Sequence, residues 1–264
     1  MGISCRFATP CLDHRVTLEY LMSALKTSKL LLENGIAYEW ANRPGDPFIA
    51  KCRSNLVCDF LNGNAENLFF LDDDIGWPAE KALEFIKRPE PVLVGVYPQK
   101  LEELSFPCSF EADGPNLVEK DGLYKAVLAP TGFMRIKRWV LEKLYANTDL
   151  STPYSEKDAD GVTYQRRAIF NSGPSSDGQW WGEDYAFCNA CRAEGIDIWI
   201  DPDIPFYHRG QKRYEARLSH SLDVYHERAR MNEALKGMPV PPDLDRPEDW
   251  TTQDALAMEG LMLA

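Results

Sequence analysis

No stretch of these 264 residues reaches the roughly 18 consecutive apolar residues that a membrane-spanning helix needs, so the expected protein has no membrane partner. The opening "MGISCRFATP" lacks the charged-then-apolar layout of a secretory signal, and Arg6 stands where a myristoylation motif wants serine or threonine, which sets the expectation of a cytoplasmic protein. Basic charge is also short. With 29 Lys and Arg against 41 Asp and Glu, the net charge of −12 argues against a chain whose affinity comes from a broad phosphate-binding face. A disulfide framework is not indicated either, because the seven cysteines are odd in number and scattered through periodic segments. Cys188 and Cys191 have zinc-like spacing, but no second CxxC or spaced histidine pair completes four ligands; core or surface thiols are the leading reading and zinc the minor one. There are no internal repeats.

What the chain does have is enough apolar material for a substantial core, at 44% hydrophobic and 11% aromatic residues, as one large domain or two fused lobes. "ISCRFAT" reads as a strand, and "RVTLEYLMSALKTSKLLLENG" carries helical spacing at Leu18, Leu21 and Leu25 with a stop at Gly35. "AYEWA" is a second strand. Asp46-Pro47 reads as an N-cap before the helix "FIAKCRSNLVCDFLNG". "NLFFLD" is a central strand, Pro78 opens a helix to about Lys87, and "PVLVGVYP" is a further strand. This alternation predicts an α/β fold with a mostly parallel sheet and helices on both faces. Further on, "YKAVLAPTGFMRIKRWVLEKL" reads as strand, glycine turn and helix. Residues 151–181 read as a long polar loop, "GEDYAFCNACRAEG" as a helix, "IDIWIDPD" as a strand and "YEARLSHSLDVYHERARMNEALKG" as a long helix. The last 28 residues, 237–264, form a proline-rich linker with a short amphipathic end.

The segment "FFLDDDIGWP" drives three hydrophobes into Asp72, Asp73 and Asp74. In an open parallel sheet ligands bind at the carboxyl ends of strands, so these acids belong on that rim. Crowded carboxylates raise one another's pKa unless a cation neutralises them, and a hard ion such as Mg²⁺ or Mn²⁺ takes oxygen ligands of this kind. Asp72 and Asp74 point to the same side of an extended chain. The competing reading is a solvated acidic turn ahead of the helix at Pro78.

The ordered set of a strand ending in Thr-Pro, "AKCRSN", "FFLDDDIGWP", "VGVYPQK", "APTGFMRIKR", "GEDYAFCNACRAEGIDIWIDPDI" and a late "YHRG" resembles glycosyltransferases of the GT-A type, those of bacteriophages and other viruses in particular. The resemblance covers roughly residues 3 to 210. It implies a GT-A sheet over residues 1–236, with 1–100 as the nucleotide-binding half and 101–236 as the acceptor half, followed by a C-terminal helical extension. It implies a nucleotide-sugar donor, of the uridine diphosphate kind, with Mn²⁺ or Mg²⁺ as cofactor.

Residue by residue, the resemblance makes Asp72, Asp73 and Asp74 the Asp-x-Asp motif. Asp72 contacts the donor, and Asp72, Asp74 and His208 serve the metal. Thr9, Pro10 and Asp13 are expected at the nucleobase and ribose, with Asp13 also fit to cap the following helix. Arg53 is expected to approach the nucleotide. Glu183 and Asp184 open a helix, where acids also complement the helix dipole; the resemblance makes Asp184 the general base and Glu183 the reserve, with Trp180 and Trp181 nearby as stacking or core residues. Phage relatives imply a hydroxymethylated pyrimidine in DNA as acceptor, and the basic groups Arg166-Arg167 and Arg209, Lys212, Arg213 and Arg217 are the candidate guides. A glycan or a protein is the alternative acceptor. A nucleotidyltransferase is the alternative enzyme, against which "ATPCLDHRV" lacks a glycine-rich phosphate loop.

Overall fold

A computed structural model describes residues 4–157, 160–174 and 178–236, so the extension at 237–264 lies outside the described residues. Strand β1 (Ser4–Cys11), helix α1 (Leu18–Glu33), β2 (Ala37–Pro44), α2 (Ile49–Leu61) and β3 (Asn67–Leu71) follow in the expected alternation. A two-residue β4 (Ile75–Gly76), α3 (Ala79–Lys87) and β5 (Val92–Gly95) complete the first half. The second half contributes β6 (Ser109–Phe110), β7 (Leu123–Leu128), β8 (Phe133–Lys137), α4 (Arg138–Ala146), the hairpin β9 (Thr152–Lys157) and β10 (Thr163–Ala168), α5 (Glu183–Ala193), β11 (Ile198–Asp201), β12 (Phe206–Arg209), β13 (Arg213–Ala216) and α6 (Leu222–Leu235).

The main sheet has nine strands, in the order β2-β1-β3-β8-β5-β11-β7-β6, with Glu119–Lys120 added beside β7. β2, β1, β3, β5 and β11 run one way, and β8 and β7 are reversed. The fold is therefore mixed α/β with a mostly parallel central sheet, as expected. Strands of both halves of the chain alternate in it, since β8 lies between β3 and β5.

Alternation along the central strands sends side chains to two cores. Phe7, Phe69, Leu71, Leu93 and Phe133 pack towards α1 and α3. Ala8, Leu68, Phe70, Val94, Met134 and Ile136 pack towards α2, α4 and α5. Arg135 on β8 is a charged side chain in this interior, fully buried and capping carbonyls of Phe85, Arg88 and Glu90, which pins the turn between α3 and β5. At Gly95 a Cβ would come within 2.5 Å of the Phe206 ring, so glycine lets β12 cross the end of β5.

Four readings of the sequence change here. Phe133–Lys137 is a strand and not the start of a helix, and α4 then begins without a side-chain cap. The polar stretch after Ser151 contains a hairpin of two six-residue strands, held to β2 and α2 where Glu156 accepts two 2.8 Å hydrogen bonds from Arg43 and one at 3.2 Å from Asn55. The long final helix is a strand (β13), a short 3₁₀ turn and α6. Asp46 is also not the cap of α2, which starts at Ile49; its carboxylate instead accepts from the Phe48 amide and from Lys51.

Candidate active site

The carboxyl ends of β2, β1, β3 and β5 converge on one rim, where a cavity of about 360 Å³ is lined by Pro10, Asp46, Asp72, Asp73, Asp74, Tyr97, Lys100 and His208 among others. Larger cavities of about 820, 590 and 530 Å³ lie beside α5, beside the hairpin and beside α3, and none of them is lined by the acidic triplet. The triplet follows β3 directly, as the sequence implies, and its backbone is tied on every side. The Asp72 amide donates to Gly132 O at 2.9 Å, Thr17 N donates to Asp73 O at 2.9 Å, and Arg209 N donates to Asp74 O at 2.8 Å. Thr17 is the N-cap of α1, so Asp13 does not cap that helix.

The three carboxylates have different partners. Asp72 accepts from Arg53 Nη2 at 2.9 Å and from the Tyr97 hydroxyl at 2.9 Å, so both of its carboxylate oxygens already have partners. Asp73 is pushed up to about 6, by burial first and then by the charge of Asp74 beside it. Asp74 faces His208 Nε2 at 3.4 Å and is bonded by Lys100; burial opposes its ionisation, but these two partners hold it below the usual aspartate range. A strand pairing brings His208 there, because β12 pairs with β4 at His208 and Ile75. The His208 Nδ1 donates to Pro98 O at 2.8 Å, since a carbonyl only accepts, and this leaves Nε2 as the nitrogen facing Asp74.

The expected metal trio of Asp72, Asp74 and His208 is thus not assembled, and among the described residues no group of three or more His, Cys, Asp or Glu is arranged to hold a metal ion. The Asp74 and His208 pair does fit a cation of the Mg²⁺ or Mn²⁺ type. One carboxylate and an oriented imidazole nitrogen are a sufficient protein share where substrate phosphates and water complete the shell.

Arg53 connects the rim to the start of α5. It is 4% exposed, donates from Nη2 to Asp72 and from Nε to Glu183 at 3.2 Å, and stays a cation because Asp72 and Glu183 more than offset its burial. Its expected place beside a nucleotide becomes a place behind the carboxylates. Of the two acids opening α5, Glu183 is therefore the one engaged. The Asp184 carboxylate accepts the neighbouring Tyr185 amide at 2.8 Å, and burial, then the charge of Glu183, raise its carboxyl above the ordinary aspartate value.

Of the remaining expected residues, Pro10 lines the cavity. Thr9 is fully buried with its hydroxyl 2.6 Å from the Tyr20 hydroxyl, and Asp13 is exposed outside the lining beside Arg15; neither reaches the rim cavity. Trp180 is exposed, and Trp181 lines the 820 Å³ cavity. Cys188 and Cys191 are both buried in the core. Five of the six basic guides are paired elsewhere: Arg166 is buried against Asp59, Arg167 bonds Ser151, and Lys212, Arg213 and Arg217 pair with Glu102, Glu215 and Asp203; Arg209 stands at the rim, exposed, with its guanidinium 3.9 Å from Glu19. Tyr97 and Lys100 went unassigned from sequence although "VGVYPQK" was singled out, because only the position of β5 beside the triplet gives them a role.

Gly132 sits where a Cβ would collide with the Asp72 carboxylate and the Tyr97 hydroxyl. Gly132→Ala is expected to cost about 1–3 kcal/mol through overpacking, read as a lower urea midpoint with unchanged slope. A wild-type midpoint would mean that the Asp72 and Tyr97 contact gives way freely.

No family model matches the chain, and no curated protein matches it. Among solved structures, it is similar over 90% of its length to residues 1–349 of S. aureus TarS, at 14% identity and a TM-score of 0.40, covering 67% of that chain. The same TarS segment in complex with UDP is 16% identical over 90% of this chain and 67% of that one, with a TM-score of 0.40. The inositol-1-phosphate CTP transferase from T. maritima is 10% identical, with a TM-score of 0.40 over 90% of this chain and 98% of that one. Likenesses of this strength do not bear on the chemistry. Among the described residues no helix is long and apolar enough to cross a membrane.

Proposed function

We propose that the chain is a glycosyltransferase that moves a sugar from a nucleotide-sugar, of the uridine diphosphate kind, to an acceptor hydroxyl. The observation that carries the reading is the rim cavity itself, where Pro10, Asp72, Asp73, Asp74 and His208 meet Tyr97 and Lys100, with Arg53 linking it to Glu183 and Asp184. The order of sequence motifs from the first strand to "YHRG" supports the same reading.

The nucleoside would enter beside Pro10 and Asp46, with its diphosphate under the Lys100 ammonium. Asp74 and His208 would hold a divalent cation, Mn²⁺ or Mg²⁺, which when bound offsets charge on the departing diphosphate. Asp73 shares the cavity and Asp72 fixes its wall through Arg53 and Tyr97. In the transfer, the bond from the anomeric carbon to the diphosphate oxygen breaks, the bond to the acceptor oxygen forms, and Asp184 takes the acceptor proton. That base role fits a carboxyl whose pKa burial has raised above the ordinary aspartate value. Glu183, held by Arg53, orients the helix start. The outcome would be inversion at the anomeric carbon.

The free and mostly buried thiols fit a reducing cytoplasm as the setting. As acceptor, a hydroxymethylated pyrimidine in phage DNA loses its main sequence support with Arg166 buried and Arg167 half-buried and bonded to Ser151, which puts glycan and protein hydroxyls on an equal footing.

The test incubates the protein and Mn²⁺ with a panel of nucleotide-sugars, in the presence of hydroxymethylated DNA, an oligosaccharide or a protein acceptor. Release of nucleoside diphosphate from one donor is the expected result. Pyrophosphate release from a nucleoside triphosphate and a sugar phosphate would replace the reading by nucleotidyl transfer, and the absence of binding or turnover with every donor would overturn it.

A further inference from the structure

Helix α1 is built with its apolar side outward. Its buried residues are Tyr20, Ser23, Ala24, Thr27 and Leu31, and the two hydroxyls serve the interior by accepting from Trp77, Ser23 from the backbone amide at 2.9 Å and Thr27 from the indole Nε1 at 3.0 Å. The outer face holds Leu18 at 69% exposure, Leu25 at 58% and Leu32 at 68%, with Leu21 and Met22 also exposed between them. The leucine spacing that marks this segment as a helix therefore does not mark its core face. Single exposed leucines are ordinary, but five exposed apolar side chains on one side of a 16-residue helix, interrupted only by Ser28 and Lys29 before Leu32, call for a partner.

We propose that this strip is a homodimer interface, with α1 of one copy lying along α1 of a second copy. Leu18, Leu25 and Leu32 recur every seven residues with Leu21 and Met22 in the first interval, which is the period of a helix-on-helix seam. Such a row is complementary to a helix of the same spacing, and a second copy supplies one by symmetry. Two strips face to face would remove on the order of 1,000 Å² from water, the lower bound of a specific interface. The charges on α1 balance, Glu19 and Glu33 against Lys26 and Lys29, with Lys29 and Glu33 paired at 3.7 Å. A helix lying on a lipid surface instead carries a Lys- and Arg-rich polar face, and a chain of net charge −12 is repelled by anionic headgroups.

Sedimentation velocity of the full chain from roughly 1 to 100 μM is expected to show a dimer that dissociates on dilution. Leu25→Glu puts a charge in the middle of the seam and is expected to weaken the dimer about 100-fold or more, with an unchanged far-ultraviolet circular dichroism spectrum because Leu25 is exposed in the monomer. Leu32→Glu, one heptad on, provides the same reading if the first variant folds poorly. A wild-type monomer at every concentration, or a dimer that neither substitution weakens, overturns the interface. Flotation of the wild type with phosphatidylcholine and phosphatidylglycerol vesicles, lost in Leu25→Glu, would assign the strip to lipid and overturn it equally.

Discussion

Asp184→Asn is expected to slow sugar transfer about 100-fold or more while leaving nucleoside diphosphate affinity unchanged, because the change removes a proton acceptor and touches nothing in the donor cavity. Asparagine has nearly the size of aspartate, and its side-chain oxygen still accepts the Tyr185 amide, so the start of α5 should persist. Single-turnover transfer, or slow hydrolysis of the donor by water, reads the chemical step, and calorimetric titration with uridine diphosphate reads binding. Glu183→Gln is the matched control. Glu183 is spent on Arg53, so its amide should cost stability more than chemistry. Near-normal transfer by Asp184→Asn with an inactive Glu183→Gln would move the base one residue earlier, and activity in both variants would remove the base from this helix.

The second large effect concerns stability. Arg53→Met is expected to destabilise the protein by about 3–5 kcal/mol, the range for removing one partner from a buried charge cluster. Methionine fills much of the same volume, but it leaves the carboxylates of Asp72 and Glu183 in a poorly solvated cleft without their shared cation. Both acids are then left facing each other's charge without compensation. Urea denaturation of wild type and variant measures the difference. Adding Glu183→Gln to Arg53→Met should recover part of the loss, because one of the two stranded charges disappears. A midpoint equal to wild type in Arg53→Met would mean that the bridge between β3 and α5 contributes nothing.

The two predictions divide the site as the structure does. Arg53 is a support, with Asp72 on one side and Glu183 on the other, and Asp184 is next to that support without being consumed by it. Tyr97 stays a donor to Asp72, since burial and then the Asp72 charge raise its hydroxyl well above the ordinary tyrosine value.

Much of this was legible in the order of residues. Hydrophobic periodicity is a local property, and it marked β1, β2, β3, β5, α2, α3 and α5 near their observed positions. The run from Phe69 into Asp72 predicted a strand whose end carries acids, and in an open sheet that end is the ligand rim. Where the local signal was mixed, the reading failed: β8 runs into α4 with no cap to separate them, and the β9 and β10 hairpin is too polar to alternate visibly.

The tertiary structure alone decided which groups share a cavity. A strand's pattern tells which side chains share a face but says nothing of which strand lies beside it, and Asp74 meets His208 only because β4 pairs with a strand more than a hundred residues away. Lys100 and Tyr97 join them because β5 ends next to that pair, and Asp72 leaves the expected metal trio because Arg53 and Tyr97 bind it from two other elements. The same reason explains α1. Its leucine period announced a helix, but the choice of buried face belonged to Trp77, whose two N–H groups needed the hydroxyls of Ser23 and Thr27 in the interior and so turned the leucines outward.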